Sequence, residues 1–224
     1  MKRNAARAAL DFIEPGSVIG VGSGTTVWCF IDLLAESGLR IAGAVAASAE
    51  CARRLAEAGV TVVDLDGAHP SLYVDGADAI DMSGRAIKGG GAALTREKAV
   101  ATASEYWACI VDATKMVRSL AHQPVPLEVE EPRRASVVQA IQALGGSAYV
   151  REGVLTDAGN PLLDATGLSL ADPLAAEIAF DEIPGVIECG VFARRTADVI
   201  LVGRTGGGVG RIVPHHEAYD ESAR

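Results

Sequence analysis

Four short stretches of this chain carry residues that could do chemistry. The first, IKGGGAALTREKAV (87–100), sets Lys88 ahead of three consecutive glycines, Gly89, Gly90 and Gly91, and places Glu97 near the start of the helix that follows. Each glycine raises the entropic cost of folding, so three in a row do not serve a core. They suit a backbone that must come close to a ligand with its N–H groups unshielded. Lys88 adds a point charge. Glu97 has two readings: an acid favoured there by the helix dipole, or a base beside a glycine-lined anion pocket. In the second stretch, YVDGADAID, Asp75 and Asp78 enclose Gly76 and Ala77 at the C-terminal end of an apolar run. Two nearby carboxylates can share general-base and hydrogen-bonding work. They can also hold a metal or simply end a strand, but all four histidines (His69, His122, His215, His216) lie elsewhere in the sequence, which weakens the metal reading.

The third stretch, GVGSGTT (20–26), follows an apolar run and opens a helical one. Such a junction binds anions because exposed N–H groups and the positive helix end meet there. A dinucleotide fingerprint needs G-x-G-x-x-G, yet the third position is Thr25 counted from Gly20 and Val27 counted from Gly22. A Walker A loop needs a lysine, and this stretch has none. What remains is a small cradle, Ser23, Gly24, Thr25 and Thr26, suited to one phosphate or carboxylate, with a plain strand-to-helix turn as the alternative. The fourth stretch, VDATK, ends a buried run at Asp112 and offers Lys115, which matters only if that strand end faces the same cleft. Together these residues suit proton transfer next to a carbonyl on a phosphorylated small molecule.

Elements must hold these stretches at one place. Ala5 to Ile13 reads as a short helix ended by Glu-Pro-Gly, and SVIGVG as a strand. Val27, Phe30, Ile31 and Leu34 recur at helical spacing. IAGAVA, VTVVDL, SLYVD and WACIVD read as further strands, with a helix over 49–58 and a hairpin tip at Ser83-Gly84. Strands alternating with helices imply a parallel sheet with right-handed crossovers, and its C-terminal edge is where ligands bind. The pattern changes at HQPVPLEVEEP. From there a β-α-β-β-α-β order, with a helix over 134–144 and another capped by Asp172 with Pro173 at its first position, fits a ferredoxin-like unit. ADVILVG then returns to the first sheet. The expected architecture is α/β: a Rossmann-like catalytic domain over 1–121 and 196–214, a smaller ferredoxin-like domain over 122–195 inserted near the C-terminal end, and a polar tail over 215–224.

Composition bounds the function. The 224 residues are 49% hydrophobic, 22% charged and 4% aromatic, which describes a folded α/β protein. A net charge of −9 excludes nucleic-acid binding through a basic face and leaves small anions, bound by local cations and N–H groups. Cys29, Cys51, Cys109 and Cys189 are widely spaced with no CxxC pair, as expected of reduced thiols in the cytoplasm. No apolar run is long enough for a membrane span. The start, MKRNAARAALDFIEPG, is broken by Asp11, Glu14 and Pro15, so no signal peptide is expected.

The motifs, taken in order and at their spacing, resemble the A-type ribose-5-phosphate isomerase family: GVGSGTT, YVDGADAID, IKGGGAALTREK, VDATK, PLEVE, GVLTDAGNPLLD and IPGVIECGVFARRTADVILVG. The resemblance implies interconversion of D-ribose 5-phosphate and D-ribulose 5-phosphate in the pentose phosphate pathway. The implied route is a cis-enediol(ate) without metal or organic cofactor, in a homodimer or homotetramer. It implies Glu97 as the base moving a proton between C2 and C1. It implies substrate contacts from Ser23–Thr26, Asp75–Asp78, Lys88, Gly89–Gly91 and Lys115, with the aspartates assisting ring opening and Lys88 steadying enediolate charge. An ordinary glutamate has a pKa of about 4.3, so Glu97 is expected to be ionised before substrate binds. The chain departs from the family pattern at Ala79, where glutamate is usual, but keeps Asp75 and Asp78, so the chemistry is expected to survive; it departs also at Ala46 and Ala47, where serines are usual, and weaker polar contacts near the cleft or a change in loop order are expected there. Two other classes compete. A phosphosugar-binding sensor would bind without turnover, and an acyl or CoA transferase would form a thioester at the glutamate.

Overall fold

Apolar runs of four or five residues alternate with segments of helical period, and the computed structural model, described over residues 1–214, turns that alternation into a layered fold. The tail expected at 215–224, with His215 and His216, lies outside the described residues. Helix α1 (Lys2–Ala9) runs into a 3-10 turn at Leu10–Phe12, short of Pro15. Strand β1 (Val18–Val21) opens into α2 (Thr25–Ser37), whose Val27, Phe30, Ile31 and Leu34 are buried. Next come β2 (Gly43–Ala46), α3 (Ala49–Glu57) and β3 (Leu72–Asp75). The short β4 (Ala79–Ile80) and β5 (Ala86–Ile87) form the expected hairpin, and α4 (Leu94–Ala103) leads to β6 (Tyr106–Asp112). The second half contains β7 (Val125–Val129), α5 (Arg134–Ala143), β8 (Ser147–Leu155), β9 (Pro161–Thr166), α6 (Pro173–Asp181) and β10 (Val186–Cys189). It closes with β11 (Val191–Phe192), β12 (Val199–Gly203) and β13 (Val209–Ile212).

The main sheet has the order β13-β12-β6-β3-β1-β2, parallel except for β13 at the edge. The expected strand over 60–65 is reduced to one parallel bridge between Ala44 and Val62, because the segment runs along the outer edge beside β2 and turns at Asp64–Gly67. Counted with that bridge, the order is that of a Rossmann-like sheet, and its reversal point lies between β1 and β3, where crevices form. Alternation along β3 buries Leu72 and Val74 against α1 and α2, and turns Tyr73 and Asp75 toward α4. The second sheet, β10-β7-β9-β8, is antiparallel in a ferredoxin-like order, and its apolar core contains Leu127, Val137, Ile141 and Leu163. Asp172 caps α6 through the N–H groups of Leu174 and Ala175, with Pro173 leading the helix. A third small sheet, β11-β5-β4, joins the Ser83-Gly84 hairpin to the chain leaving β10.

Candidate active site

The strand ends β1 and β3 and the start of α4 converge on one cavity of about 190 Å³. It is lined by Ser23, Gly24, Thr25 and Thr26 from the turn into α2, and by Gly76, Ala77 and Asp78 beyond β3. Lys88, Gly89, Gly90, Gly91 and Glu97 form the facing wall, and Lys115 closes one end. Thirteen of the fourteen candidate residues therefore meet there. The exception is Asp75, which is fully buried one layer behind the wall.

Asp75 holds the wall together. Its Oδ1 accepts from the N–H groups of Ser23 (3.1 Å) and Gly76 (2.7 Å). Its Oδ2 accepts from the Tyr73 hydroxyl and pairs with Lys88 Nζ at 2.7 Å. Gly22 makes room for this: a Cβ there would sit 1.8 Å from the Asp75 carboxyl carbon. Lys88 Nζ also donates to the Gly76 carbonyl (2.8 Å) and lies 3.3 Å from Glu97 Oε2. Burial works against the charge of Lys88, but Asp75 and Glu97 outweigh it and hold its pKa above the ordinary lysine value.

Glu97 sits in the first turn of α4, and the residue is 5% exposed. Among the described residues its carboxylate has one polar partner, Lys88. Burial raises its pKa to about 8, against the lowering pull of Lys88, and the negative charge of Asp75 adds to the rise. This corrects the expectation of an ordinary, fully ionised glutamate: the motif does not reveal that α4 packs the carboxyl into a dry wall. Asp78, facing the cavity, accepts from Gly90 N–H at 2.7 Å. A Cβ at Gly90 would lie 2.6 Å from Asp78 Oδ1, which gives one physical reason for the glycine run.

The opposite wall is built for an anion. Gly24 caps α2 with no side-chain hydrogen bond of its own, so the first N–H groups of that helix are open to a ligand. Ser23 Oγ donates to Ser48 Oγ (2.6 Å), and Ser48 in turn caps α3 by accepting from Cys51 N–H. Asp112 accepts from the N–H and hydroxyl of Thr114, which fixes the turn that carries Lys115; the Thr114 hydroxyl bond holds the Asp112 carboxyl below its usual range. Two contributors were missed in the sequence. Lys2, from α1, lines the cavity and donates to Thr25 Oγ1 at 2.6 Å; no spacing links it to the cradle, so only tertiary packing reveals it. Tyr73 stands two residues before Asp75 on a strand, and the two-residue period alone would have put both on one face. Ala46, Ala47 and Ala79 are buried, and none of them lines the cavity.

Chemically, the cavity lining combines cations and open N–H groups for an anion with a carboxyl base paired with an ammonium. Among the described residues, the one group of three metal-ligand side chains within mutual reach, Asp181, Glu188 and Cys189, is not part of its lining.

Comparison with known proteins gives one consistent result. The profile of ribose 5-phosphate isomerase A (phosphoriboisomerase A) matches residues 43–207. A ribose-5-phosphate isomerase A from Leptothrix cholodnii is 49% identical over 209 residues, covering 92% of this chain and 95% of that protein. The crystal structure of ribose 5-phosphate isomerase A from Neisseria gonorrhoeae superposes with a TM-score of 0.92 at 39% identity, covering 96% of each chain. A D-ribose-5-phosphate isomerase in complex with phospho-erythronic acid superposes with a TM-score of 0.89 at 35% identity, covering 95% of this chain and 97% of that one.

Proposed function

The chain belongs to the ribose 5-phosphate isomerase A family, whose reaction interconverts D-ribose 5-phosphate and D-ribulose 5-phosphate, and from that premise we propose that Glu97 is the base that carries the proton. The observation behind this reading is the Glu97 carboxyl itself: buried in the cavity wall, raised in pKa to about 8 and held beside Lys88.

The sugar phosphate is anchored by the α2 N-terminus, Ser23–Thr26, Lys2 and Lys115. Anchoring the remote end supplies binding energy that can be used at the reacting carbons. Asp78, the aspartate that faces the cavity, takes the anomeric hydroxyl proton as the C1=O1 bond forms and the C1–O4 bond breaks, and gives the proton to O4, so that the furanose opens to the aldehyde with a free 4-hydroxyl. Glu97 then removes the proton from C2. The electron pair forms the C1–C2 double bond, and the carbonyl π electrons move onto O1. Lys88 and the Gly91 N–H stabilise that charge, which is where fixed donors lower a barrier most. Proton exchange between O1 and O2 and return of the proton from Glu97 to C1 give the ketose. Asp75 acts one step back, keeping Lys88 charged and Ser23 in place. The enediol route and its place in the pentose phosphate pathway follow from the family.

The finer points belong to the same proposal. The catalytic unit is drawn from 1–121 and 196–214, with 122–195 as a supporting unit. The enzyme works in the cytoplasm as a homodimer or homotetramer. Exposed Tyr149 and Leu155 on edge strand β8 are compatible with association, and no helix of the described residues is long and apolar enough to cross a membrane.

Ribulose 5-phosphate formation from ribose 5-phosphate in excess EDTA, wild type beside Glu97→Gln, tests the reading. The wild type should turn over. The variant should lose about two or more orders of magnitude in kcat, the upper part of what a general base contributes, with KM changed only several-fold. Near-normal turnover in the variant removes Glu97 from its role. An inactive wild type whose melting temperature rises with ribose 5-phosphate would favour a sensor or an altered substrate.

A further inference from the structure

The glycine run can stabilise charge only if its peptide groups point the right way, and glycine by itself fixes no direction. Gly89 has φ +109° and Ala92 φ +63°, so the segment is a tight, left-handed turn, closed by Ala92 N–H donating to the Gly89 carbonyl (3.1 Å). What else holds it comes from the other sheet. Arg151 on β8 forks onto Asp164 of the neighbouring β9, through Nε at 3.0 Å and Nη2 at 2.5 Å. This bidentate pairing fixes the guanidinium plane and leaves Nη1 free to reach across. Nη1 donates to the Gly89 carbonyl at 2.8 Å and to the Gly90 carbonyl at 3.3 Å.

A planar trans peptide points its C=O and N–H in opposite directions. The Gly89–Gly90 peptide shows the result directly: its carbonyl is on Arg151 and its N–H is on Asp78 Oδ2 at 2.7 Å. The same rule applied to the Gly90–Gly91 peptide turns the Gly91 N–H away from Arg151, and Gly91 lines the cavity while Arg151 does not. We propose that Arg151, seated on Asp164, is a positioning residue for the isomerisation: it holds the two glycine carbonyls outward, so that the Gly90 N–H stays on Asp78 and the Gly91 N–H faces the developing enediolate. The motif GVLTDAGNPLLD, just beyond Arg151, thereby gains a neighbour with a role, since its Asp164 is the seat of the guanidinium.

This inference rests on the isomerase reading, and the two fail differently: no turnover by the wild type defeats both, whereas an active wild type isolates Arg151. The experiment is steady-state kinetics with ribose 5-phosphate on the full-length Arg151→Met and Asp164→Asn enzymes. Arg151→Met should lower kcat by about ten- to a hundredfold, as expected when fixed donors lose their aim, with KM within about threefold because the phosphate cradle is untouched. Asp164→Asn keeps the guanidinium but loosens it, so its loss should be smaller and also in kcat. Methylguanidinium added below denaturing concentrations should restore part of the Arg151→Met activity and leave the wild type unchanged. A kcat within about twofold of wild type in Arg151→Met overturns the proposal. So does a loss of kcat that methylguanidinium does not restore and that follows the unfolded fraction seen by thermal melting.

Discussion

Two lysines lie over the same aromatic ring. Lys88 Nζ is 5.6 Å and Lys98 Nζ 4.9 Å from the centre of Phe192, and each is flanked by two acids, Asp75 and Glu97 for the first, Glu177 and Glu188 for the second. Lys88 is buried and the Lys98 side chain is 12% exposed, and in both neighbouring groups overcome the desolvation penalty and keep the lysine pKa raised: Asp75 and Glu97 for Lys88, and Cys189, Glu188 and Glu177 for Lys98. The difference is in how far the acids are satisfied. Glu177 accepts from the N–H groups of Ala193 (2.7 Å) and Arg194 (2.8 Å) as well as from Lys98, and Glu188 accepts from Cys189 N–H (2.9 Å). Lys98 adds a bond to the Cys189 carbonyl (2.8 Å), so the cluster is closed and fastens α4 to α6 and β10. Glu97 has Lys88 alone and otherwise faces the cavity. A saturated buried carboxylate is structural. One left short of partners beside a cavity is poised to react, and satisfaction of hydrogen bonds separates the two more sharply than burial or charge.

Exchanging each lysine for methionine gives the sharpest test of that contrast. Either substitution takes the counter-charge away from buried acid and should cost about 3–5 kcal/mol of stability, read by denaturant unfolding. Only Lys88→Met should also reduce kcat, by about two orders of magnitude or more, because it removes the charge nearest the enediolate. The folded fraction of Lys98→Met should keep kcat within about threefold of wild type. A turnover loss of equal size in both variants would erase the distinction.

The next effect in size is on pH dependence. Glu97 must be ionised to act as a base, and its pKa is raised from 4.5 to about 8. Below that value kcat/KM should rise by about tenfold per pH unit and then level off, since this ratio reports the free enzyme. The stability sign runs the other way. Between 4.5 and about 8 the folded state keeps a proton that the unfolded state has lost, so the stability gained by the neutral carboxyl is complete below 4.5 and is lost as pH rises to about 8. Glu97→Gln is neutral throughout, so its melting temperature should gain on the wild type across that window, and the gap should stop widening above it. A constant gap would mean that the Glu97 carboxyl titrates normally.

The same contrast marks what could be read in the sequence. The GVGSGTT, DGAD, KGGG and VDATK stretches were legible because strand-to-loop junctions announce themselves through glycine and short polar residues, and all four come to one cavity. The alternation of apolar runs gave away the parallel sheet and the later β-α-β-β-α-β order. Burial depth was not legible. DGAD presents Asp75 and Asp78 as a pair, yet one is a fully enclosed strut and the other faces the cavity, a split set by the pleat of β3 and by the missing Cβ of Gly22. Lys2 and Arg151 escaped for another reason: each reaches the site from an element distant in the chain, through contacts 23 and 62 residues apart. The 60–65 segment had strand-like composition but only β2 beside it, so a single bridge formed.

The smallest expected effects concern the alanines that replace usual serines before α3. Ala46 and Ala47 are 2% and 0% exposed, and the retained Ser48 is the residue that bonds Ser23 in the anion cradle. Removing that hydroxyl in Ser48→Ala should raise KM for ribose 5-phosphate by about three- to tenfold, the equivalent of one ordinary hydrogen bond. Restoring a hydroxyl in Ala47→Ser should leave KM within about twofold, because Ala47 does not line the substrate cavity. Its cost should appear in thermal melting, since an unpaired buried hydroxyl is destabilising by about 1–3 kcal/mol. A lower KM in Ala47→Ser would mean that the cradle extends further along the β2–α3 turn than Ser48, and that the alanines do weaken the hold on phosphate.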